Sequence, residues 1–395
     1  MSVTGEGSAP TRWAWADVDL DALAHNVREL RRVVAPSDVW AVVKADAYGH
    51  GAVPCARAAL AAGAAGLCVA LAEEGAELRA GGVDAPVLVL SQQPPEQFAG
   101  MVELDLTPTL YETAAVEAFA ETVRTAGKRD YGVHVKIDTG MHRVGVALGE
   151  AVDLVRHVDS RSAELRLAGI FSHLAVADDP ADPHTALQLQ RFDEILHELA
   201  RVGIVPETTH LANSAGALAH PAARRSFVRA GIAIYGIEPG AGVADMCVGL
   251  RPVMTLAARV SFVQRLSPGE RISYGLRHRF ERPATVATIP IGYADGVPRR
   301  LAECGGEMLI GGRRRPIVGV VTMDQVMVDC DDDHIRVGDE VVLIGAQDNE
   351  RIRAEDWADA LGTIGYEIVC GISRRVPRRY HGRTASPGDQ AGGPR

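Results

Sequence analysis

The segment VWAVVKADAYGHGAVPCARAALAAGAAGLCVA, residues 39–70, holds one strand–helix–strand unit. An apolar run covers residues 39–43, an alanine-rich stretch with helical spacing covers 54–62, and a second apolar run covers 67–70. Buried strands that alternate with helices are typical of a parallel sheet covered by helices. The segment therefore predicts an α/β fold built from repeated βα units.

The same alternation extends on both sides of this segment, up to about residue 237. It predicts strands at 39–43, 67–70, 87–90, 104–107, 131–137, 167–172, 208–212 and 227–230. Apolar residues recur every three or four positions in the segments between them, at 54–62, 73–80, 111–126, 151–158, 186–202 and 214–219. Eight such units predict a closed (β/α)8 TIM-like barrel, a fold whose active sites lie at the carboxyl ends of the strands.

The pattern changes after about residue 250 to β-branched alternation with turn signals, which predicts a mainly antiparallel β domain with strands at 255–264, 285–290, 307–310, 317–321, 325–329 and 340–344. Residues 13–20 also alternate, so this strand is expected to pair with that domain. A helix at 21–34 follows, with Asp21 as its expected N-cap. The predicted organisation is an N-terminal strand (1–20) associated with the β domain, a barrel (21–245), the β domain (246–380) and a flexible tail (381–395).

The amino-acid composition argues against two classes of function, nucleic-acid binding and membrane association. The 395 residues are 47% hydrophobic and 23% charged, as in soluble globular proteins. The 41 Lys and Arg against 51 Asp and Glu give a net charge of -10, which repels nucleic acids and anionic lipids. The longest weakly polar stretch, residues 58–72, is too short to span a bilayer. We expect no nucleic-acid or membrane partner.

Two further features concern the compartment and metals. Residues 1–13 show no basic region followed by an apolar core, so a cytoplasmic location is expected. The six cysteines are scattered and show no zinc-ligand spacing. They are predicted to be reduced core thiols, and no metal site is predicted.

Polar residues cluster where the predicted barrel strands end. Each has an ordinary structural interpretation: a surface cation, a helix cap, a core histidine or an ion-paired arginine. Together they favour an active site on one rim of the barrel. They are Lys44 after the first strand, Lys136, Asp138, His142 and Arg143 at the fifth, His173 at the sixth, Asn213 and Ser214 at the seventh, and Arg229, Gly231 and Ile232 at the eighth.

This set suggests a phosphorylated carbonyl cofactor. Barrels often bind phosphate after strands 7 and 8, where Ser214, Gly231 and Ile232 fall. Lys44 would hold the carbonyl as a Schiff base, and Tyr48, one helical turn later, is placed to donate its hydroxyl to the phosphate. Pyridoxal 5'-phosphate is the cofactor with this chemistry.

The chain resembles alanine racemases over residues 13–379. The resemblance rests on eight motifs in order: AVVKADAYGHG at 41–51, VKIDTGMHRVG at 135–145, HLANSAG at 210–216, VRAGIAIYG at 228–236, ISYGL at 272–276, IGYADG at 291–296, VTMDQV at 321–326 and GTIGYEIVCGISRRVPR at 362–378. It implies interconversion of L-alanine and D-alanine, which supplies D-alanine as a peptidoglycan precursor, by a homodimer with shared active sites.

Roles follow from the resemblance. Lys44 resembles the lysine that binds the cofactor and serves as one base, and Tyr274 the opposite base, contributed by the partner subunit. Arg143 resembles the arginine near the cofactor's phenolic oxygen and the substrate carboxylate. Met323, again from the partner, resembles the residue whose backbone amide receives that carboxylate. Lys136 resembles a lysine that in many members carries a carbamate and orients the arginine.

The resemblance also implies a cofactor-binding set and an access corridor. The sequence differs from the family pattern at two positions in the outer part of this site. His142 stands where a small residue is usual, and Val320 stands where an access-channel arginine is usual. Neither is part of the Lys44 and Tyr274 pair. The cofactor-binding set is Tyr48, His173, Asn213, Ser214, Arg229, Gly231, Ile232 and Tyr366, and the corridor residues are Tyr293, Arg299 and Asp178.

Arg229 and His173 suggest how the chemistry is steered. A guanidinium beside the ring nitrogen can only donate a hydrogen bond, so the ring stays largely unprotonated. Carbanion character then remains at the substrate Cα, which favours racemisation over transamination. A free phenol with a pKa of about 10 is a poor base near neutral pH. His173 beside Arg229 is the expected hydrogen-bond relay that assists Tyr274.

Three alternatives stay open. A racemase of broad specificity or one acting on serine fits the same motifs, because one hydroxyl discriminates by only about 1–3 kcal/mol. A non-catalytic pyridoxal phosphate-binding protein would need no second base, yet Tyr274, Met323 and Tyr366 lie in the β domain. A barrel-type amino-acid decarboxylase would typically carry a glycine-rich phosphate loop and a catalytic cysteine, and neither is evident in the sequence.

Overall fold

The computed structural model describes residues 12–382, which form two compact units. The barrel unit contains residues 23–47 and 55–251, and the β unit contains residues 12–22, 48–54 and 252–382. The boundaries predicted at residues 20, 245 and 380 stay a prediction. The predicted tail lies outside the described residues apart from 381 and 382.

Eight parallel strands line the barrel unit, after a first strand β1 (Ala14–Asp19) that belongs to the β unit. They pair in two four-stranded sheets ordered β4-β3-β2-β9 and β5-β6-β7-β8. Backbone contacts join the two sheets, through a bridge between Leu88 and Thr107 and a 3.0 Å hydrogen bond from Arg229 N to Ala212 O. The predicted barrel is confirmed. Its strands are β2 (Asp38–Val42), β3 (Gly66–Val69), β4 (Val87–Val89), β5 (Thr109–Leu110), β6 (Tyr131–Lys136), β7 (Leu165–Phe171), β8 (Thr208–His210) and β9 (Phe227–Ala230).

Amphipathic helices follow most of these strands. In α8 (His184–Arg201), Phe192, Ile195 and Leu199 are buried at intervals of three and four residues, so one face of the helix packs inward. The other helices before residue 251 are α1 (Leu20–Val34), α2 (Lys44–Gly49), α3 (Ala52–Ala61), α4 (Ala72–Ala80), α5 (Phe98–Glu103), α6 (Thr113–Thr125), α7 (Leu148–Ser160) and α9 (Ser214–Ala219).

The fourth predicted barrel strand is misplaced. Residues 104–107 follow helix α5, and Asp105 turns the chain with a φ of 51°. Leu106 is buried as a turn residue, and the strand itself is only Thr109–Leu110. Half-buried Leu104 and buried Leu106 flank the exposed Asp105, so the sequence alternates as in a strand although the chain turns here.

The N-cap prediction is also wrong. Helix α1 begins at Leu20, and the Asp19 side chain accepts a 2.9 Å hydrogen bond from the Ala22 amide. That contact satisfies one of the free amides of the first turn, which is the role of an N-cap. Asp21 lies inside this turn, where a carboxylate is favoured by the helix dipole.

The β unit is built around a ten-stranded sheet in the order β11-β14-β17-β16-β15-β18-β10-β1-β20, with β19 paired to β18. Strand β1 pairs antiparallel with β10 and parallel with β20. The strands are β10 (Met254–Arg259), β11 (Phe262–Leu266), β12 (Arg271–Ile272), β13 (His278–Arg279), β14 (Ala284–Ile289), β15 (Glu307–Ile310), β16 (Arg313–Val318), β17 (Val326–Asp329), β18 (Glu340–Gln347), β19 (Glu350–Ile352) and β20 (Arg378–His381). Two helices, α10 (Ala354–Leu361) and α11 (Gly365–Cys370), complete the unit.

The run predicted as one strand at 255–264 is two strands. Its first half, β10, pairs with β1 and β18, and its second half, β11, pairs with β14. Val260 and Ser261 form the break, with their amides bonded to Asp339 O and Thr288 O. Period-two alternation continues through the break, so the pattern alone does not show that the pairing partner changes.

Two other expectations concern thiols and membranes. All six cysteines are free thiols, and four of them are buried. Cys370 is exposed and Cys304 is half-buried, so the prediction of core thiols is wrong for these two. Among residues 12–382, no helix combines the length and apolar character needed to cross a lipid bilayer.

Candidate active site

Four cationic side chains meet at the carboxyl ends of the barrel strands. Lys44 follows β2, Lys136 ends β6, Arg143 lies in the loop after β6, and Arg229 lies in β9. Burial, and then the charges of Arg229 and Arg143, lower the pKa of Lys136 to about 7, with Asp138 opposing and Lys44 adding a smaller effect. The site is therefore electropositive and fits an anionic ligand.

Arg229 is buried, with 3% of its surface exposed. Its Nη1 donates to His210 Nδ1 at 2.7 Å, and its Nη2 lies 2.8–3.0 Å from Leu211 O, Ser172 O and His173 Nδ1. Burial lowers the pKa of Arg229 to about 10, so the group stays charged at neutral pH. Its Nε makes no hydrogen bond to any residue within 12–382, so this N–H is available for a ligand acceptor.

His173 is neutral in this setting. Burial, followed by the charge of Arg229, places the pKa of His173 well below its usual value. Arginine has only donors, so the Nδ1 that it contacts at 3.0 Å must accept, and the single proton of the ring lies on Nε2. His173 is thus set to donate a hydrogen bond from Nε2.

Ser214 organises the end of the barrel near β9. Its Oγ accepts hydrogen bonds from Gly231 N at 2.9 Å and Ala233 N at 3.3 Å. The hydroxyl proton has no acceptor among the described residues, so it is available to a ligand. Asn213 caps helix α9 through a 2.9 Å bond from the Gly216 amide to its Oδ1, which is its ordinary structural role. Ile232 is fully buried.

The turn after Lys44 is left-handed. Ala45, Asp46, Ala47 and Tyr48 all have φ between 51° and 54°, and Ala47 N bonds to Val43 O at 2.9 Å. Left-handed helical geometry costs roughly 1–2 kcal/mol per non-glycine residue. Strain of this kind concentrates at functional sites, where the surrounding structure maintains it. The sequence prediction of a helical turn here is confirmed, but its hand was not foreseen.

The loop that carries Arg143 is held by Asp138. Its Oδ1 accepts from the amides of Gly140, Met141 and His142 at 2.9–3.1 Å. Burial opposes the charge, but these donors hold the pKa of Asp138 below its usual value. His142 has a φ of 55°, which explains why a small residue is usual at this position, and its Nδ1 lies 3.4 Å from Asp138 Oδ2. Arg143 itself is exposed.

The β unit carries the other predicted residues except Asp178. The rings of Tyr48 and Tyr366 lie 6.0 Å apart. Tyr274, Met323 and Tyr293 are 75%, 52% and 43% exposed. Arg299 is also exposed, and Val320 is buried with its carbonyl accepting from Ser273 Oγ. Tyr274, Met323 and Tyr366 therefore lie in a different unit from Lys44 and Arg229.

Met323 sits on a tightly held loop. Its carbonyl accepts from Ala294 N at 3.1 Å, and Thr322 O accepts from Tyr293 N at 2.9 Å. A Cβ on Gly292 would lie 2.4 Å from Met323 O, so only glycine fits beneath this loop. The Met323 amide donates to no acceptor within residues 12–382 and is available to a ligand.

An ion-pair network lies beside this loop. Asp295 is fully buried and contacts Arg12 at 2.7 Å and Arg375 at 3.3 Å. Arg375 also bonds to Asp324 at 2.7 Å, next to Met323. Asp295 Oδ2 accepts from Gly292 N at 3.0 Å. The network thus ties the 292–295 turn to the 322–325 loop.

The last corridor residue, Asp178, is exposed in the barrel unit and packs against Gly240, where a Cβ would lie 2.6 Å from its own. Sequence reasoning missed His134, His210 and the Asp295 network. His134 stands two residues before Lys136 in β6, so both side chains point to the barrel interior. A histidine on that face of a buried strand was the available signal.

A parallel barrel with a cationic carboxyl-end rim, followed by an antiparallel β unit, defines the class of the protein as a barrel enzyme whose site suits an anionic group. A family model described as alanine racemase, N-terminal domain matches residues 18–239, and one described as alanine racemase, C-terminal domain matches residues 253–380. The chain belongs to the alanine racemase family.

Individual relatives agree over nearly the whole length. The alanine racemase of Symbiobacterium thermophilum is 48% identical over 381 residues, 96% of this chain and 99% of that protein. The alanine racemase of Thermobifida fusca is 42% identical over 374 residues, 94% and 98% of the two chains. The solved structure of alanine racemase from Streptomyces coelicolor A3(2) superposes with a TM-score of 0.87 at 41% identity, covering 93% and 97%.

Proposed function

We propose that this protein interconverts L-alanine and D-alanine, with pyridoxal 5'-phosphate bound in the barrel and Lys44 and Tyr274 of the partner subunit as the two bases. Buried Arg229 carries the proposal, because it presents a spare Nε donor inside a cationic site. An arginine there can donate a hydrogen bond to a ring nitrogen without giving up its proton. That property suits racemisation better than transamination.

The donors of the site fit this cofactor. Lys44 would bind its carbonyl, Arg229 Nε would donate to the ring nitrogen, and Ser214 Oγ would donate to the phosphate. Tyr48 and Tyr366, whose rings lie together, would complete the phosphate set with Gly231 and Ile232. When bound, the cofactor supplies a conjugated ring that withdraws electrons from the substrate Cα.

Racemisation needs a proton removed from one face of Cα and returned to the other. The Lys44 amine would serve one face, and the phenol of the partner subunit's Tyr274 the other. His173, with its proton on Nε2, would donate to the phenolic oxygen. A hydrogen bond to the charged form lowers the pKa of an acid, so the donor would make this tyrosine a better base.

The substrate carboxylate would be held by the charge of Arg143 and by the amide of Met323 from the partner subunit, which has no acceptor among the described residues. Lys136 is suited to carry a carbamate that orients Arg143. Its pKa of about 7 leaves a large fraction of neutral amine at neutral pH. That amine can add to carbon dioxide, forming an N–C bond and releasing one proton.

A homodimer follows from the same roles, since Tyr274 and Met323 would act in the site of the other subunit. Their exposure, together with the 50% exposed Leu276 and the 59% exposed Ile364, supports an interface on the β unit. The access corridor of Tyr293, Arg299 and Asp178 and the cytoplasmic location stay predictions.

Subunit mixing tests the proposal. Lys44→Ala and Tyr274→Phe are each expected to be inactive, but dimers re-formed from both variants contain one intact site, so an equal mixture should recover about one quarter of wild-type activity. Mixing Lys44→Ala with Arg229→Ala should recover nothing, because both changes lie in the same barrel. Mixed dimers without activity would contradict the shared site.

Assays of the purified protein also distinguish the alternative functions. A non-catalytic binding protein would take up pyridoxal phosphate through Lys44 without changing the optical rotation of L-alanine. A serine racemase or a broad racemase would show a kcat/KM for L-serine equal to or above that for L-alanine, whereas an alanine racemase should disfavour L-serine by about 10–200-fold, the discrimination that one hydroxyl ordinarily allows.

A further inference from the structure

A chain of buried hydrogen bonds leads from Arg229 through the barrel interior. Arg229 Nη1 lies 2.7 Å from His210 Nδ1, and His210 Nε2 lies 3.0 Å from His134 Nδ1. The His210 ring is stacked between Phe171, with centroids 4.5 Å apart, and Phe227, at 4.1 Å. Both histidines are at least 96% buried, so the chain is enclosed.

The direction of hydrogen-bond donation along this chain follows from the available donors and from the neutral state of both rings. Arg229 has no acceptor, so His210 Nδ1 must accept from it. Burial keeps both rings neutral: it lowers the pKa of His134 to about 3 and that of His210 well below its usual value. A neutral imidazole carries one proton, so His210 donates from Nε2 to His134 Nδ1. His134 in turn carries its proton on Nε2.

The outer end of the chain reaches the opposite mouth of the barrel. His134 lines a cavity of about 790 Å³ whose walls include the first residues of four strands: Asp38 of β2, Tyr131 of β6, Thr208 of β8 and Phe227 of β9. His134 Nε2 makes no hydrogen bond within residues 12–382, so its proton is directed to this N-terminal mouth, where water can accept it.

We propose that His134 is a positioning residue for Arg229, acting through His210. Its Nδ1 satisfies the buried Nε2 proton of His210 and so keeps His210 Nδ1 as the acceptor for the guanidinium. Without that acceptor, His210 either leaves a buried N–H unpaired or changes tautomer and turns an N–H toward a donor. Either outcome releases Arg229 Nη1 and would weaken the hydrogen bond that Arg229 would donate to the ring nitrogen of the cofactor.

Two variants of nearly equal size separate this role from packing. His134→Asn keeps an acceptor close to the position of Nδ1, whereas His134→Leu removes it. In the wild type the His134 ring packs against Gly169, where a Cβ would lie 2.5 Å from His134 Cε1. Because the asparagine and leucine side chains both have fewer non-hydrogen atoms than histidine, both variants open a similar space beside Gly169. Differences between them therefore report the hydrogen bond.

The expected result is a change in the ratio of transamination to racemisation, and not an equal loss of both activities. His134→Leu should raise the ratio of transamination to racemisation about five- to tenfold, the change expected from one buried neutral hydrogen bond, and should shift the absorbance maximum of the bound cofactor. His134→Asn should stay close to the wild type in both. Equal behaviour of the two variants would overturn the proposal.

Neutron diffraction from deuterated crystals tests the chain without any activity. Deuterium should lie on Nε2 of His134, His210 and His173, with Nδ1 bare on all three. Deuterium on Nδ1 of His210 would overturn the inference even if alanine is racemised. The positioning role rests on the proposed function, but the proton positions do not, so failure of one is distinguishable from failure of the other.

Discussion

The guanidinium of Arg229 lies 2.7 Å from Nδ1 of His210 and is the donor in that contact. Among residues 12–382, no hydrogen-bond partner of Arg229 is a carboxylate, and the same group contacts the neutral His173. Since the pKa of Arg229 stays at about 10, this group donates a hydrogen bond to a ligand nitrogen without transferring its proton. This environment distinguishes the site from one in which an acid protonates the ring.

The first prediction concerns the partition of products. Arg229→Glu places an acid beside the ring nitrogen and should raise transamination relative to racemisation by at least about tenfold. Pyruvate release, coupled to lactate dehydrogenase, measures the transamination. Arg229→Lys, which keeps the charge, is the matched control and should stay below the glutamate variant. An unchanged product ratio would refute the role given to Arg229.

The second prediction concerns Tyr274. Because its side chain is 75% exposed, Tyr274→Phe should leave thermal stability of the subunit nearly unchanged. Loss of one positioned acid–base group should lower kcat about 10²–10⁴-fold. Exchange of the Cα proton with deuterated water should persist for one enantiomer of alanine and disappear for the other. Loss of exchange for both would argue that the tyrosine does more than serve one face.

Much of the fold could be predicted because hydrophobic periodicity is strong in the barrel unit. Seven of the eight barrel strands fall close to their predicted positions, and helix α9 coincides with its prediction at 214–219. The failures are local. Residues 104–107 and 255–264 show strand periodicity, but a turn and a change of partner decide their structure, and single-sequence periodicity carries neither.

The candidate site was predicted through residues at strand ends, which a barrel gathers on one rim. The left-handed turn after Lys44 was not predictable, since the sequence ADAY does not favour positive φ. The pairing of Asp295 with Arg12 and Arg375 joins segments about 280 and 80 residues apart, which only tertiary structure reveals.

The third prediction concerns Asp295. Asp295→Asn removes the buried carboxylate that pairs with the partly exposed Arg12 and Arg375, and it should lower the free energy of unfolding by about 1.5–3 kcal/mol. Because the 292–295 turn supports the Met323 loop, KM for alanine should rise more than kcat falls. Asp332→Asn, which breaks an exposed pair with Arg265, is the control and should cost at most about 1 kcal/mol. Equal urea midpoints for the two variants would contradict this account.

The last prediction concerns Lys136 and pH. Its pKa falls from 10.5 in the unfolded chain to about 7 in the folded one. Between these values the unfolded chain binds one more proton at this residue than the folded chain, so the free energy of unfolding rises with pH, by up to about 1.4 kcal/mol per pH unit. Below about pH 7 both states are protonated and the cost of burying the charge is fully present.

Lys136→Met removes this titration. In buffer free of carbon dioxide, at one fixed protein concentration, urea unfolding should show the wild type gaining stability relative to the variant from pH 7 to pH 10. Other groups contribute equally to both proteins and cancel in the difference. Added bicarbonate should stabilise the wild type near pH 7 and leave Lys136→Met unaffected, because only a neutral lysine amine can form the carbamate. A flat difference with pH would show that Lys136 is charged in the folded protein and that the carbamate has no precursor there.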